Sequence, residues 1–153
     1  MEQKAASSPA SRCRPAVHPA VLLVEDTEAD QALVQQILTS HGYMIHIERS
    51  GEEALAWLAD HRPDVILLDM KLPGMDGLSV AKWIKGQVEI ASIPVVAVTG
   101  EARPGTEEEV AASGCTAYLI KPISVARLLA TLEAVSDGKP DDDGSTVPWR
   151  LDR

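Results

Sequence analysis

The segment at residues 65–77 constrains the fold more than any other part of the chain. It opens with VILLD, an apolar run of strand length that ends in Asp69, and a loop rich in proline and glycine follows at once. A continuous apolar strand is typical of a parallel sheet that helices cover on both faces. Because open α/β sheets bind ligands at the carboxyl ends of their strands, Asp69 is predicted to lie where such folds carry out their chemistry.

Strand and helix patterns alternate on either side of this segment. The apolar and β-branched runs predict strands at residues 20–24, 43–48, 64–69, 93–99 and 116–120. Helical periodicity predicts a helix capped by Thr27 with Asp30 and ended by Gly42, helices at 51–61, 78–87 and 104–113, and a last helix capped by Ser124. In the first of these, Leu33, Val34, Ile37 and Leu38 are predicted to face inward. The alternation predicts a five-stranded parallel sheet, doubly wound by helices.

The ends of the chain differ in composition from its centre. Residues 1–18 are rich in Ser, Ala, Pro and Arg, and residues 137–153 are acidic and contain several helix and strand breakers. We predict that both segments are disordered and that residues 19–136 form one domain. Since nothing after the last helix has the length or pattern of a second module, no output domain is expected.

Charge and cysteine usage narrow the classes of function. The net charge of −9 disfavours binding to nucleic acid, which needs a basic patch, and to anionic membranes. No run is long and apolar enough for a signal peptide or a membrane span. The chain has 2 cysteines, Cys13 and Cys115, and neither suggests a disulfide framework. The predicted location is the cytoplasm.

Polar side chains stand at the predicted carboxyl ends of four strands. Glu25 and Asp26 follow the first strand, Asp69 ends the third, Thr99 ends the fourth and Lys121 follows the fifth. Three carboxylates at one sheet edge would recruit a cation, and oxygen ligands suit Mg²⁺. A lysine and a hydroxyl can hold phosphoryl oxygens, and a carboxylate can act as a nucleophile. Each residue alone could be an ordinary capping or surface residue, but their joint occurrence favours a site.

These residues fall in segments that resemble the receiver domain of two-component response regulators, from about residue 20 to 135. The matching segments are 23–26 (LVED), 67–70 (LLDM), 72–77 (LPGMDG), 98–100 (VTG) and 118–122 (YLIKP). The resemblance implies the CheY-like, flavodoxin-like fold, with the strand order 2-1-3-4-5.

The resemblance also implies roles for residues around Asp69, which would be the phosphoacceptor. Glu25, Asp26, Asp69 and the backbone carbonyl of Lys71 would hold Mg²⁺. Lys71 and Glu101 occupy positions with which the family tunes hydrolysis of the phosphate. We expect these two side chains to pair across the mouth of the site and shield it from water.

A second group of residues matches the positions that bind the phosphoryl group or switch with it. Thr99, Gly100 and Lys121 would surround the phosphoryl oxygens, and Tyr118 would change its rotamer on activation. The peptide bond before Pro122 would be cis.

The implied partners are proteins. The resemblance predicts that a histidine kinase or a histidine phosphotransferase donates the phosphoryl group, and that a downstream protein binds the face formed by the fourth helix, fifth strand and fifth helix. The chain would then not be an enzyme, apart from catalysing transfer of a phosphoryl group to its own Asp69 and hydrolysis of that phosphate. Two alternatives stay open: a receiver-like scaffold that works without phosphorylation, and an Mg²⁺-dependent phosphatase with an aspartate nucleophile. Lys71 argues against the second, because common phosphatases of that type carry an acid at this position.

Overall fold

The computed structural model describes residues 20–100 and 103–136 of the chain. The predicted disordered segments, 1–18 and 137–153, lie outside these residues. Strands and helices alternate strictly in the described part. They are β1 (Ala20–Val24), α1 (Glu28–Ser40), β2 (Met44–Glu48), α2 (Gly51–Leu58), β3 (Val65–Asp69), α3 (Gly77–Lys85), β4 (Val95–Thr99), α4 (Thr106–Ala112), β5 (Ala117–Ile120) and α5 (Val125–Ser136).

The five strands form one parallel sheet in the order β2-β1-β3-β4-β5, which confirms the predicted order. Every residue of β3 and β4 is buried, as expected for central strands covered on both faces. The register pairs Asp69 with Val98, and Thr99 with Ile120. The carboxyl ends of β3, β4 and β5 therefore lie side by side.

Alternate residues of each strand pack against different layers of helices. On one face, Leu22 of β1 lies in a cluster with residues of α2, α3 and α4, such as Leu58 and Ile84. On the other face, Leu23 lies in a cluster with α1 and α5, which includes Leu132. Full burial of one such side chain contributes about 1.5–3 kcal/mol, so the two clusters supply most of the driving force for folding.

The structure corrects several details of the first helix. Thr27 occupies the N-cap position of α1, but its side chain makes no capping hydrogen bond, so the predicted capping pair with Asp30 is wrong. Leu33 is 41% exposed, because it lies at the edge of the apolar stripe that Val34, Ile37 and Leu38 bury. The predicted end of the helix is confirmed, since Gly42 has a φ of +88° there.

Other element boundaries differ from the predicted ones by up to three residues. The strand predicted to begin at residue 43 begins at Met44, because the amide of Tyr43 still donates to the Leu38 carbonyl in the turn after α1. Helix α2 ends at Leu58 rather than at residue 61, and α4 spans only Thr106–Ala112. Such differences arise because turns at helix ends continue the periodic pattern of the sequence.

Three aromatic rings stack where α2 approaches the sheet edge, beside the cluster that α2, α3 and α4 cover. The indole of Trp57 lies between the imidazoles of His46 and His61, with ring centroids 4.3 Å apart on each side. The planes differ by 12° and 3°, so both contacts are face to face. His46 also lies 2.6 Å from Glu48 through Nε2 and Oε2. The stack joins the edge strand β2 to α2 and to the turn that follows it.

Candidate functional site

Two buried carboxylates occupy the carboxyl edge of the sheet. Glu25 directly follows β1, and its amide donates to the Glu48 carbonyl at 3.0 Å, which continues the pairing with β2. Asp69 is the last residue of β3. Glu25 is only 2% exposed and Asp69 only 4%. Because β1 and β3 are parallel neighbours, these two side chains meet at the same edge.

With the more exposed Asp26, these residues form a cluster of oxygen ligands. Ligand atoms of Glu25, Asp26 and Asp69 all lie within 4.8 Å of one another. The amide of Lys71 donates to Asp69 Oδ1 at 3.1 Å, so the chain folds back over the carboxylate after β3. An all-oxygen set with an open side fits Mg²⁺, which binds few carboxylates and keeps several waters. The donor set is therefore compatible with the predicted metal.

Lys121 brings a positive charge to this cluster. Its amide donates to the Thr99 carbonyl at 2.8 Å, which fixes the residue at the end of β5. Its Nζ lies 3.3 Å from Glu25 Oε1 and 3.5 Å from Asp69 Oδ2. The peptide bond between Lys121 and Pro122 is cis.

Sequence reasoning missed one carboxylate at this site. Asp30, in the first turn of α1, places Oδ2 2.9 Å from Lys121 Nζ, closer than either of the other two acids. The sequence pattern predicts Asp30 only as part of a helix cap. Its spacing from Asp26 gives no signal, because Asp26 precedes the N-cap Thr27 and the two residues do not share a helical face.

Burial and charge change the protonation of this group. Burial raises the pKa of Glu25 to about 7; the neighbouring Asp69 carboxylate adds to the rise, and Lys121 opposes it. Burial alone would lower the pKa of Lys121, but the hydrogen bond to Asp30 and the charges of Asp69, Glu25 and Asp30 outweigh it and raise the pKa. Near neutral pH, the cluster without a cation therefore carries less than the full charge of its carboxylates, while Lys121 stays charged.

Residues of β4 and β5 follow Asp69 along the sheet. Thr99 ends β4 and is 8% exposed. A Cβ added at Gly100 would meet nothing within 4 Å, so space is open beside Thr99. Tyr118 is 8% exposed and packs in the cluster that α2, α3 and α4 cover. Glu101 lies outside the described residues, so its predicted pairing with Lys71 stays a prediction.

This arrangement agrees with what the chain matches among known proteins. A family model described as the response regulator receiver domain matches residues 21–133. The chain belongs to this receiver family. Receiver domains act in two-component signalling, and the fold described above is the CheY-like one. The described part of this receiver domain contains no helix that is long and apolar enough to span a membrane.

The receiver domain is similar to curated regulators over most of their length. It is 44% identical over 114 residues to the polar-differentiation response regulator DivK of Brucella anthropi, an alignment that covers 74% of this chain and 93% of that protein. DivK of Brucella ovis matches with the same identity and coverage.

Solved structures show the same fold. The chemotaxis response regulator CheY4 of Vibrio cholerae is 33% identical, with a TM-score of 0.73 over 78% of this chain and 99% of that one. The receiver domain of a sensor histidine kinase from Pseudomonas aeruginosa PAO1 is 31% identical, with a TM-score of 0.73 over 79% of this chain and 99% of that one. The latter structure is described as having a magnesium ion coordinated in its active site cleft.

Proposed function

We propose that this receiver domain accepts a phosphoryl group on Asp69 and signals through protein contacts. The observation that carries the proposal is the convergence of three carboxylates and Lys121 around the end of β3. The donor would be a phosphohistidine on a histidine kinase or a histidine phosphotransferase. Membership of the receiver family and the similarity to DivK support this assignment.

The metal in this proposal is Mg²⁺, held by Glu25, Asp26, Asp69 and the backbone carbonyl of Lys71. When bound, Mg²⁺ neutralises negative charge on the acceptor and on the incoming phosphoryl group. The fit of the oxygen cluster to a hard cation supports the assignment, as does the magnesium ion in the similar domain from Pseudomonas.

The chain's own residues have distinct tasks in the transfer. A carboxylate oxygen of Asp69 attacks phosphorus, so that a new O–P bond forms while the N–P bond to the donor imidazole breaks and the imidazole leaves with the bonding electrons. Lys121 supplies N–H donors and a positive charge for the phosphoryl oxygens, and the Thr99 hydroxyl supplies another donor. The Lys121 ammonium already lies 3.5 Å from Asp69 Oδ2, which supports this role.

The output in this proposal leaves through the α4–β5–α5 face. Helix α4 is short, and only Val110 in it is buried, so few contacts hold it in place. Ile120 and Val125 are 41% and 47% exposed on this side and offer an apolar contact. Movement of Thr99 towards a phosphoryl group would change the space available to Tyr118. We assign this role to a domain at residues 19–136 in the cytoplasm, without nucleic-acid or membrane partners.

A mass measurement tests the proposal directly. The protein is incubated with Mg²⁺ and a small acyl phosphate, and its intact mass is recorded over time beside Asp69→Asn. Asp60→Asn is a matched control, since it removes an exposed carboxylate just after α2. We expect wild type and Asp60→Asn to gain the mass of one phosphoryl group, and Asp69→Asn to gain none.

The alternatives give different results in the same experiment. A scaffold that works without phosphorylation would gain no mass and bind no Mg²⁺. A phosphatase would release many equivalents of inorganic phosphate per protein without accumulating the phosphorylated form. Equal mass gain in Asp69→Asn would place the acceptor elsewhere and refute the assignment.

A further inference from the structure

Asp30 makes the shortest of the three carboxylate contacts to Lys121. The distances from Nζ are 2.9 Å to Asp30, 3.3 Å to Glu25 and 3.5 Å to Asp69. Asp30 also differs in exposure, because its side chain is 32% exposed while those of Glu25 and Asp69 are 2% and 6% exposed. The lysine is therefore drawn towards α1 and the solvent side of the site.

A lysine ammonium has three N–H donors and no acceptor. Here the neighbours of that ammonium are three carboxylates, from the end of β1, the end of β3 and the first turn of α1. A phosphoryl group on Asp69 must share the ammonium with Asp30 and Glu25 or displace one of them, and Asp30 makes the shortest contact. Asp30 and the incoming phosphoryl group thus compete for the ammonium group of Lys121.

We propose that Asp30 is a positioning residue that holds Lys121 beside α1, and so favours cation binding in the acidic cluster over phosphoryl binding at Asp69. The inference rests on the proposed function and adds a residue that sets the balance between cation binding and phosphorylation at that site. Asp30 touches neither Asp69 nor the reacting atoms in this role, but acts through the lysine.

The charge of Asp30 acts with opposite sign on the two ligands. Its carboxylate attracts a divalent cation and keeps the ammonium from approaching that cation more closely, so it strengthens Mg²⁺ binding. The same carboxylate repels a phosphoryl group and withholds the lysine that would bind it. A residue needed only for folding would instead weaken both processes together when it is replaced.

The variant Asp30→Asn removes the charge and keeps the shape of the side chain. Glu28→Gln is the matched control, because it removes another carboxylate from the same helical turn, one whose side chain is 83% exposed. Asp30→Glu keeps the charge and tests rescue. Mg²⁺ affinity is measured by calorimetry without any phosphodonor. The initial rate of phosphorylation by a small acyl phosphate is then measured at saturating Mg²⁺ by intact mass.

We expect Asp30→Asn to weaken Mg²⁺ binding by about threefold or more and to raise the phosphorylation rate by a similar factor, as follows from one unit charge a few ångströms away near a protein surface. Glu28→Gln and Asp30→Glu should stay close to wild type in both measurements.

A fall in both quantities in Asp30→Asn, or effects equal to those of Glu28→Gln, would overturn the inference while wild-type phosphorylation still supported the proposed function. If wild type binds Mg²⁺ but gains no phosphate, the proposed function fails, and an unchanged Mg²⁺ affinity in Asp30→Asn would separately refute the role of Asp30. Absence of both Mg²⁺ binding and phosphate uptake in wild type would refute both.

Discussion

Lys121 and Lys85 both lie partly buried, and they are held by different kinds of partner. Lys121 is surrounded by carboxylates, whereas Lys85 Nζ donates to the backbone carbonyls of Ala91 and Ile93 at 2.9 Å and 2.7 Å. Burial lowers the pKa of Lys85, and the neighbouring Cys115 opposes this shift. A neutral carbonyl stabilises an ammonium less than a carboxylate does, which explains the opposite directions of the two pKa shifts. Lys85 thus serves to tie the end of α3 to the chain before β4.

Cys115 should resist modification in the folded protein. Its side chain is buried, the Ser113 hydroxyl donates to Sγ at 3.4 Å, and burial raises the pKa of the thiol above its ordinary value. A raised pKa leaves less thiolate at any pH below it, and the thiolate is the reactive form. In a Cys13→Ser background, we expect the native protein at pH 8 to react with a disulfide reagent at least about tenfold more slowly than the unfolded protein in urea. Equal rates in the two states would show that the thiol is accessible.

At the scale of elements, the start of α3 fits tightly against the loop that follows the candidate acceptor. Asp76 caps the helix by accepting from the Ser79 amide at 2.8 Å, and the amide of Gly77 donates to the Met70 carbonyl at 3.2 Å. A Cβ on Gly77 would overlap the carbonyl oxygen of Asp69 and lie 2.6 Å from Met70 Cα. The glycine is therefore required by close approach of backbone to backbone.

Gly77→Ala should destabilise the domain by about 1–3 kcal/mol, the usual cost of forcing extra volume into a packed site. Gly86→Ala is the matched control, since a Cβ there would come no closer than 3.5 Å to any neighbour. The free energy of unfolding from urea titrations checks the prediction. If the two variants lost the same stability, close packing of α3 would not be the cause.

The strands and helices themselves can be predicted from the sequence because their hydrophobic patterns are strong. Buried runs such as the one ending at Asp69 permit few alternatives, and the strict alternation of strands and helices limits the sheet to parallel topologies. Side chains at the edges of patterns were harder to place. Leu33, for example, is predicted to face inward but is 41% exposed. The helical period defines an apolar stripe along the helix. Which residues at the edge of that stripe are buried depends on how the helix packs against the neighbouring strands.

At the scale of the whole molecule, the sheet holds the acidic cluster at one edge, so a cation bound there should stabilise the entire fold. At an Mg²⁺ concentration ten times the dissociation constant, the expected gain is about 1.4 kcal/mol. Thermal unfolding in Mg²⁺ and in chelator, at matched ionic strength, measures this gain. Asp26→Asn should lose most of it because one ligand is removed. A shift of equal size in Asp26→Asn would mean that the salt acts elsewhere.

The candidate site was predictable to the extent that its residues follow strands. Glu25, Asp69, Thr99 and Lys121 stand at strand ends, so the topology alone brings them to one edge. Asp30 comes from a helix, and its approach to Lys121 depends on how α1 is rotated against the sheet. Helix rotation is set by contacts between residues distant in sequence, which one chain's pattern does not reveal. The protonation of Glu25 is likewise a property of burial and of neighbours, and it becomes visible only in three dimensions.

The stack of Trp57 between His46 and His61 has an optical consequence. Imidazole rings in face-to-face contact, above all protonated ones, quench the fluorescence of indole. Trp57, which stacks on two imidazoles, should therefore contribute little to the fluorescence of the protein. The sequence has two other tryptophans, Trp83 and Trp149. Trp83 is 41% exposed on α3, the helix that begins beside the acidic loop, and Trp149 lies outside the described residues. Within the described residues, Trp83 is therefore expected to emit more strongly than Trp57, and it stands on the helix that begins after the loop following Asp69.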